Sequence, residues 1–334
     1  MDAFRFSKAT TVSQAVQAGA KSPTAQLGAS VRFVAGGTNL VDLMKLNVER
    51  PQEVLDINGL PLNKIEKLPS GGLRIGAMVR NADLAHDATV MRDYAVLSQA
   101  LLSGASPQLR NMATTGGNLL QRTRCVYFRD MAHACNKREP GSGCSAIGGH
   151  NRMLAILGTS EACIATNPSD MNVALTALEA TIQIQGTKGE RTVPISEFFL
   201  LPGTTPNKET VLEPGDVITH VTLPPPTAGT KSVYLKLRDR ESYEFALASA
   251  AIVMKVDGGK ISRVRVALGG VGTKPWRSTE AEQTLEGKAV DVASFRQAAE
   301  AALKQAKPQS ENGYKVELSK RCIVRALTLA TATA

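Results

Sequence analysis

Two kinds of residue in this chain have types and spacings that can do chemistry. Thr114-Thr115-Gly116-Gly117-Asn118 is a threonine–glycine loop, and Cys125, Cys135, Cys144 and Cys163 follow it closely, four of the chain's five cysteines. Glycine lets a backbone turn with φ > 0 and approach a ligand closely, so such a loop can lay N–H groups against an anion. Four cysteines in one segment can wrap a metal or an iron–sulfur cluster. An anion site beside a thiolate cage describes an electron-transfer device.

A second loop of the same kind lies upstream. Ala35-Gly36-Gly37-Thr38-Asn39-Leu40 follows an apolar stretch containing Phe33 and Val34, and it opens a segment with an apolar helical face at Leu40, Leu43 and Met44. A strand–loop–helix junction favours an anion through its N–H groups and the helix dipole. The loop has no Gly-Lys-Ser/Thr and fails the G-x-G-x-x-G spacing, so it is neither a Walker loop nor a Rossmann fingerprint. Alone it reads as a tight turn needing two glycines. With the Thr114 loop it can clasp the pyrophosphate of a dinucleotide from two sides.

The cysteine gaps of 9, 8 and 18 residues lack the C-x2-C pairs of most structural zinc sites. They are compatible with a [4Fe–4S] cluster, whose cube takes one thiolate at each corner. Pro140-Gly-Ser-Gly143 turns the chain back and should bring Cys135 beside Cys144. The alternative is four buried free thiols. Cys322 stands alone in a helical pattern and reads as core. His133 and His150 lie in the cysteine segment, but none of the four histidines shows ligand spacing. Asn167-Pro168-Ser169-Asp170 supplies N-cap chemistry, and capping by Asp170 is as good an account as ribose binding. Lys236 alternates with apolar neighbours and reads equally well as a solvent-facing strand residue.

The bulk numbers set bounds. With 334 residues, two or three domains are expected. The net charge of +9 comes without a dense basic cluster, and aromatics make up only 4% of the chain. A base-stacking platform is therefore excluded, and no nucleic-acid partner is expected. No apolar run approaches the roughly 18 residues of a membrane span. Met1-Asp2-Ala3-Phe4-Arg5-Phe6 is not a charged leader ahead of an apolar region. The chain is thus expected to carry no export signal of its own. It would be cytoplasmic, or reach the periplasm folded, by co-export with a partner.

The elements that must position these residues read as an α+β fold in three parts. Residues 1–60 form a βαβ-like unit, with strands at Phe4–Phe6, near Val31–Ala35 and at Val54–Ile57. Its first helix opens at a Thr11-Val-Ser-Gln14 capping box. Residues 61–226 hold a strand at Leu73–Ala77, a helix capped by Asn81, a helix over Val96–Leu102 and the cysteine insert (about 119–165). A helix over Ala174–Ala180 follows, then strands at Thr181–Gln185 and Arg191–Val193. Pro224-Pro225-Pro226 marks a linker. Residues 230–330 read as antiparallel strands at Val233–Arg238, Ala246–Val256 and Ile261–Leu268, with an Asp257-Gly258-Gly259 hairpin and helices over Phe295–Ala306 and Leu318–Leu329.

Taken together, Phe33–Leu40, Ala113–Asn118, Pro168-Ser169-Asp170 and Gly269-Gly270-Val271…Pro275-Trp276-Arg277 resemble the FAD-binding medium subunit of the molybdenum hydroxylases, the family of xanthine dehydrogenase, carbon monoxide dehydrogenase and aldehyde oxidoreductases. The likeness covers essentially the full length. The cysteine insert, absent from most members, resembles that of the flavin subunit of bacterial periplasmic aldehyde oxidoreductase and, more distantly, of 4-hydroxybenzoyl-CoA reductase. The resemblance implies a two-part FAD domain of the vanillyl-alcohol-oxidase (PCMH) type plus a small C-terminal domain of the CO-dehydrogenase flavoprotein type. It implies that Phe33, Val34, Ala35, Gly36, Gly37, Thr38, Asn39 and Leu40, with Thr114, Thr115, Gly116, Gly117 and Asn118, hold the FAD pyrophosphate. Asp170 would hold a ribose hydroxyl, Ile218 would pack near the adenine, and Lys236 would serve the flavin end. Cys125, Cys135, Cys144 and Cys163 would ligate a [4Fe–4S] cluster.

By the same resemblance no substrate chemistry occurs on this chain. Aldehyde hydroxylation would take place at a molybdenum cofactor on a large partner subunit. Electrons would pass through [2Fe–2S] clusters on a small partner subunit to FAD, within a heterotrimer, and then to an external acceptor. The flavin subunit of a related xanthine-type or aromatic acyl-CoA hydroxylase is the near alternative. A stand-alone FAD oxidase is another, although neither glycine loop carries a histidine for covalent flavin attachment. A non-catalytic iron–sulfur scaffold is a third.

Overall fold

The computed structural model describes residues 1–332. Its first sheet is β1 (Arg5–Lys8), β2 (Val31–Val34) and β3 (Glu53–Asp56), parallel in the order β1-β3-β2. The helices Val12–Gly19 and Leu40–Lys45 make the crossovers that parallel strands require. Thr11 caps the first helix by accepting the Gln14 N–H at 3.2 Å. Gln14 Oε1 answers by accepting the N–H of Thr10 at 2.9 Å, one residue earlier than a capping box predicts.

The second sheet comprises β4 (Ile65–Lys67), β5 (Leu73–Gly76), β6 (Thr181–Gly186), β7 (Gly189–Pro194) and β8 (Val217–Leu223), antiparallel in the order β4-β5-β8-β6-β7. Its central strand β8 was not anticipated from sequence. A register shift opposite Gln183 and Ile184 breaks the alternation that would have revealed it. The helices Asn81–His86, Ala95–Ser103 and Asp170–Ala177 belong to the core on this sheet. Two caps differ from expectation. Arg80 stands at the N-cap of the first helix without a side-chain capping bond, and Asn81 is the first helical residue. Ser169 caps the last, its Oγ accepting the Asn172 N–H at 3.1 Å, which leaves the Asp170 carboxylate free for other work.

The third sheet, β9 (Thr230–Leu237), β10 (Ala248–Asp257), β11 (Lys260–Gly269) and β12 (Trp276–Arg277), is antiparallel in the order β12-β11-β10-β9. Gly258 and Gly259 turn the β10–β11 hairpin at φ 57° and 74°, as a type I′ turn needs. One face packs on the helices Thr279–Leu285, Val292–Leu303 and Tyr314–Ala332. The last helix begins four residues before the expected Leu318. From the other face Tyr234, Ala251 and Ala267 enter the core of the second sheet. Covered on both sides, β10 is built from small residues, Ala248, Ala250 and Ala251, all buried.

The cysteine insert has little regular structure, and side chains hold it instead. The Arg138 guanidinium donates to the carbonyls of Tyr127, Phe128 and Asp130 at 2.6, 2.9 and 2.6 Å. Asn136 Oδ1 accepts the N–H groups of Gly141 and Gly143 at 3.1 and 2.8 Å, closing the Pro140–Gly143 turn.

Candidate functional site

A cleft of about 630 Å³ lies among the three sheets, within the size range of cofactor sites. Both glycine loops line it. The first loop runs from the end of β2 into the helix Leu40–Lys45, and Gly37 turns it at φ 72°. Among the described residues, no acceptor within the chain takes up the N–H groups of Gly36, Gly37, Thr38, Asn39 or Leu40. Buried or half-buried donors without partners are costly, so this loop suits an anion.

The second loop is different. The N–H groups of Thr115, Gly116 and Asn118 donate to the carbonyls of Val79, Ala77 and Thr114 at 2.9, 2.8 and 2.8 Å. That of Gly117 donates to Thr114 Oγ1 at 3.2 Å. In this loop only the N–H of Thr114 is without an acceptor among the described residues, so the two loops differ in how many donors they offer. The Thr114 loop is a short helical turn, Thr115–Leu119, and its glycines serve packing: a Cβ on Gly116 would come 3.1 Å from that of Ala77.

The loops touch. A Cβ on Gly36 would overlap the carbonyl of Met112, just ahead of Thr114. A relay not foreseen from sequence fixes that approach. Asn58 Nδ2 donates to the Ala35 carbonyl at 2.9 Å, Arg80 donates to Asn58 Oδ1 at 3.1 Å, and Arg80 also donates to the Met112 carbonyl. Neither Asn58 nor Arg80 was a candidate from sequence.

Phe33, Ala35, Thr38, Asn39, Leu40, Thr114, Gly117, Asn118 and Ile218 line the cleft, whereas Val34 and Thr115 do not. Thr115 is buried, its hydroxyl donating to Val79 O at 3.1 Å. Asp170 and Lys236 also line the cleft and are paired: Lys236 Nζ donates to Asp170 Oδ2 at 2.8 Å and to the Ser103 carbonyl at 3.0 Å. With its side chain 3% exposed, Lys236 is not the solvent-facing residue that strand alternation allowed. The Tyr234 hydroxyl donates to the other oxygen of Asp170, and burial, with Asp170 beside it, holds that phenol well above its ordinary range. Arg110, at the same cleft, has no carboxylate partner among the described residues and donates to Gly104 O at 2.7 Å. An unpaired guanidinium and the free N–H groups of the first loop fit a dinucleotide diphosphate.

Cys125, Cys135, Cys144 and Cys163 line one small cavity within a single core cluster, and none forms a disulfide. Cys135 and Cys144 face each other across an antiparallel bridge. Burial pushes the Cys125 thiol up to about 11. It also raises that of Cys163, against the lowering effect of Lys137. Ala165 N–H donates to Cys163 Sγ at 3.4 Å. Among the described residues no group of three or more His, Cys, Asp or Glu is gathered to hold one metal ion. The four thiols instead line a shared space of about 10 Å³, a donor set whose chemistry is that of iron–sulfur ligation. Cys322 is buried elsewhere, among the helices behind the third sheet.

Residues 2–226 match the family described as the FAD binding domain in molybdopterin dehydrogenase, and residues 233–330 match the CO dehydrogenase flavoprotein C-terminal domain. The chain belongs to the FAD-binding medium subunits of the molybdenum hydroxylases. It is 50% identical, over 335 aligned residues covering all of both chains, to the aldehyde oxidoreductase FAD-binding subunit PaoB of Escherichia coli K12. It is 30% identical to the carbon monoxide dehydrogenase medium chain of Hydrogenophaga pseudoflava, over 92% of this chain and 91% of that one. A solved carbon monoxide dehydrogenase of H. pseudoflava superposes with a TM-score of 0.77 at 28% identity, covering 99% of this chain and 98% of the other. As a medium subunit the chain binds FAD, belongs to an oxidoreductase and has the α+β architecture of the family. No described helix is long and apolar enough to cross a membrane.

Proposed function

We propose that this chain is the FAD-binding and [4Fe–4S]-binding electron-transfer subunit of a molybdenum-dependent aldehyde oxidoreductase. The end-to-end likeness to a subunit named for aldehyde oxidation supports the substrate class. The observation that carries the electron-transfer reading is the placement of two redox-type sites, the cleft and the four-cysteine cavity, against one short helix, Leu40–Lys45. When bound, FAD exchanges electrons singly or in pairs and the cluster exchanges them singly.

The chain's own residues bind and orient. The free N–H groups of Gly36–Leu40 and the Arg110 guanidinium receive the diphosphate. Asp170, held from both sides by Tyr234 and Lys236, presents an oriented carboxylate to a ribose hydroxyl. Ile218 supplies an apolar wall. Cys125, Cys135, Cys144 and Cys163 hold the cluster, and binding it draws off the protons that burial otherwise retains on Cys125 and Cys163. Residues 1–60 and 61–226 form the two parts of the FAD unit and 230–330 the third part. In keeping with its likeness to medium subunits, substrate oxidation belongs to a large molybdenum-cofactor subunit, with a small [2Fe–2S] subunit between.

The test is to purify the chain alone and with its companions, count iron and flavin, record the visible spectrum, and assay aldehyde oxidation with an artificial acceptor. Flavin with about four irons per chain, and turnover only in the presence of the molybdenum subunit, is the expected result. Robust turnover by the chain alone would make it a stand-alone oxidase.

A further inference from the structure

A row of alternating charges, buried at Glu49, Arg122 and Lys137 and half-buried at Arg32 and Glu209, links the cleft to the cysteine cavity. Arg32 Nη2 lies 2.8 Å from Glu49 Oε1, which lies 3.3 Å from Arg122 Nη1. Arg122 Nε lies 2.6 Å from Glu209 Oε2, and Glu209 Oε1 lies 2.8 Å from Lys137 Nζ. The first three residues line the cleft, and Lys137 lines the cysteine cavity. A second cavity of about 80 Å³ joins the two, sharing Arg122 with the cleft and Lys137 and Cys163 with the cysteine cavity.

Burial makes these charges effective. The side chains of Lys137, Arg122 and Glu49 are 9, 5 and 1% exposed, so water and salt screen them weakly. Lys137 is pinned, its ammonium also donating to the Pro206 carbonyl at 3.0 Å. Glu209 faces two cations at once. Burial alone would raise its carboxyl, but Arg122 and Lys137 outweigh this and hold it below the ordinary range, so it stays ionised.

We propose that Lys137 and Glu209 are positioning residues that set the reduction potential of the cysteine-bound cluster, Lys137 raising it and Glu209 moderating that effect. The inference rests on the reading that the four cysteines hold a [4Fe–4S] cluster. The step concerned is the addition of one electron to the oxidised 2+ cluster to give the reduced 1+ cluster, with no bond made or broken. A fixed cation at the cavity wall stabilises the added negative charge, and a carboxylate behind it opposes that stabilisation.

The test is an EPR-monitored redox titration of the full chain, purified with its companion chains, with dithionite as the electron donor and iron counted first. Lys137→Met should shift the cluster midpoint to a more negative value by about 59 mV, a tenfold change for a one-electron couple. Glu209→Gln should shift it positive, and Lys137→Arg should keep the wild-type midpoint. Wild-type protein without iron would overturn the cluster reading and this inference with it. Wild-type iron content with unmoved midpoints, or with both variants moving in the same direction, would overturn the inference alone. If Lys137→Met loses iron, the positive shift in Glu209→Gln decides, since a purely structural role would give no shift of fixed sign.

Discussion

Asp42 accepts two hydrogen bonds from Arg129, at 2.8 and 3.1 Å, and so ties the helix after the first glycine loop to the cysteine insert. Arg124, on the other side of Cys125, reaches the same carboxylate at 3.0 Å. One turn of helix thus carries the flavin loop at its start and an anchor for the thiol cage in its middle, and Leu43 beside the anchor packs in the core that contains all four cysteines. Hydrogen bonding from Arg129 is the largest influence on Asp42 and holds its carboxyl below the ordinary range. Asp42→Asn should therefore lower flavin and iron content together. The cost in stability should be about 1 kcal/mol, because the pair is partly exposed. Absorbance and iron assays on the purified variant check this; loss of one group without the other would mean the two sites are independent.

Gly36→Ala should abolish flavin retention, because the added methyl drives the first loop off the Met112 carbonyl. Gly37→Val acts differently, forcing a β-branched residue to φ 72°. Both variants should keep their iron. Full flavin content in Gly36→Ala, measured after gel filtration, would show that the two loops need not touch.

Tyr234→Phe removes the donor that orients Asp170 while keeping the ring in the core. A hydrogen bond to a charged group contributes about 1.5–3 kcal/mol, so FAD affinity should fall roughly tenfold or more. Fluorescence titration of the flavin-free chain reads this directly, and wild-type affinity would show that Lys236 alone suffices.

Serine substitutions at Cys125, Cys135, Cys144 and Cys163 should each lower iron content, while Cys322→Ser should leave it unchanged. The opposite pattern, iron lost with Cys322→Ser and kept with Cys163→Ser, would reassign the ligands.

Lys315 is fully buried, its ammonium donating to Met153 O at 2.9 Å and Gly270 O at 2.7 Å. Burial pushes its pKa down to about 7 from 10.5. Between those values the unfolded chain holds a proton that the folded chain releases. Folding is therefore weakened as pH falls from 10.5 to 7 and no further below, at no more than about 1.4 kcal/mol per pH unit. Lys315→Met lacks this dependence. The melting temperature of the wild type minus that of Lys315→Met should rise between pH 7 and 9, and a flat difference would refute the assignment.

Local chemistry made much of the architecture legible. The alternation in β9 to β11, the Gly258-Gly259 turn and the Thr11 cap depend on neighbours within a few residues. The cysteines were legible because four thiols in one segment are unusual, and the glycine loops because glycine is selected where backbone must pass closely. The sequence could not show how the loops divide their work. Whether an N–H is free depends on which carbonyl lies opposite, and Ala77 and Val79, which occupy the donors of Thr115 and Gly116, arrive from a separate segment. The same holds for charge. Lys236 became a buried partner of Asp170, and Lys137 a neighbour of Cys163, only once distant segments had packed. Periodicity reports which face of an element is apolar. Which polar group meets which is decided by long-range contacts, because a buried charge must find its counter-charge wherever the fold delivers one.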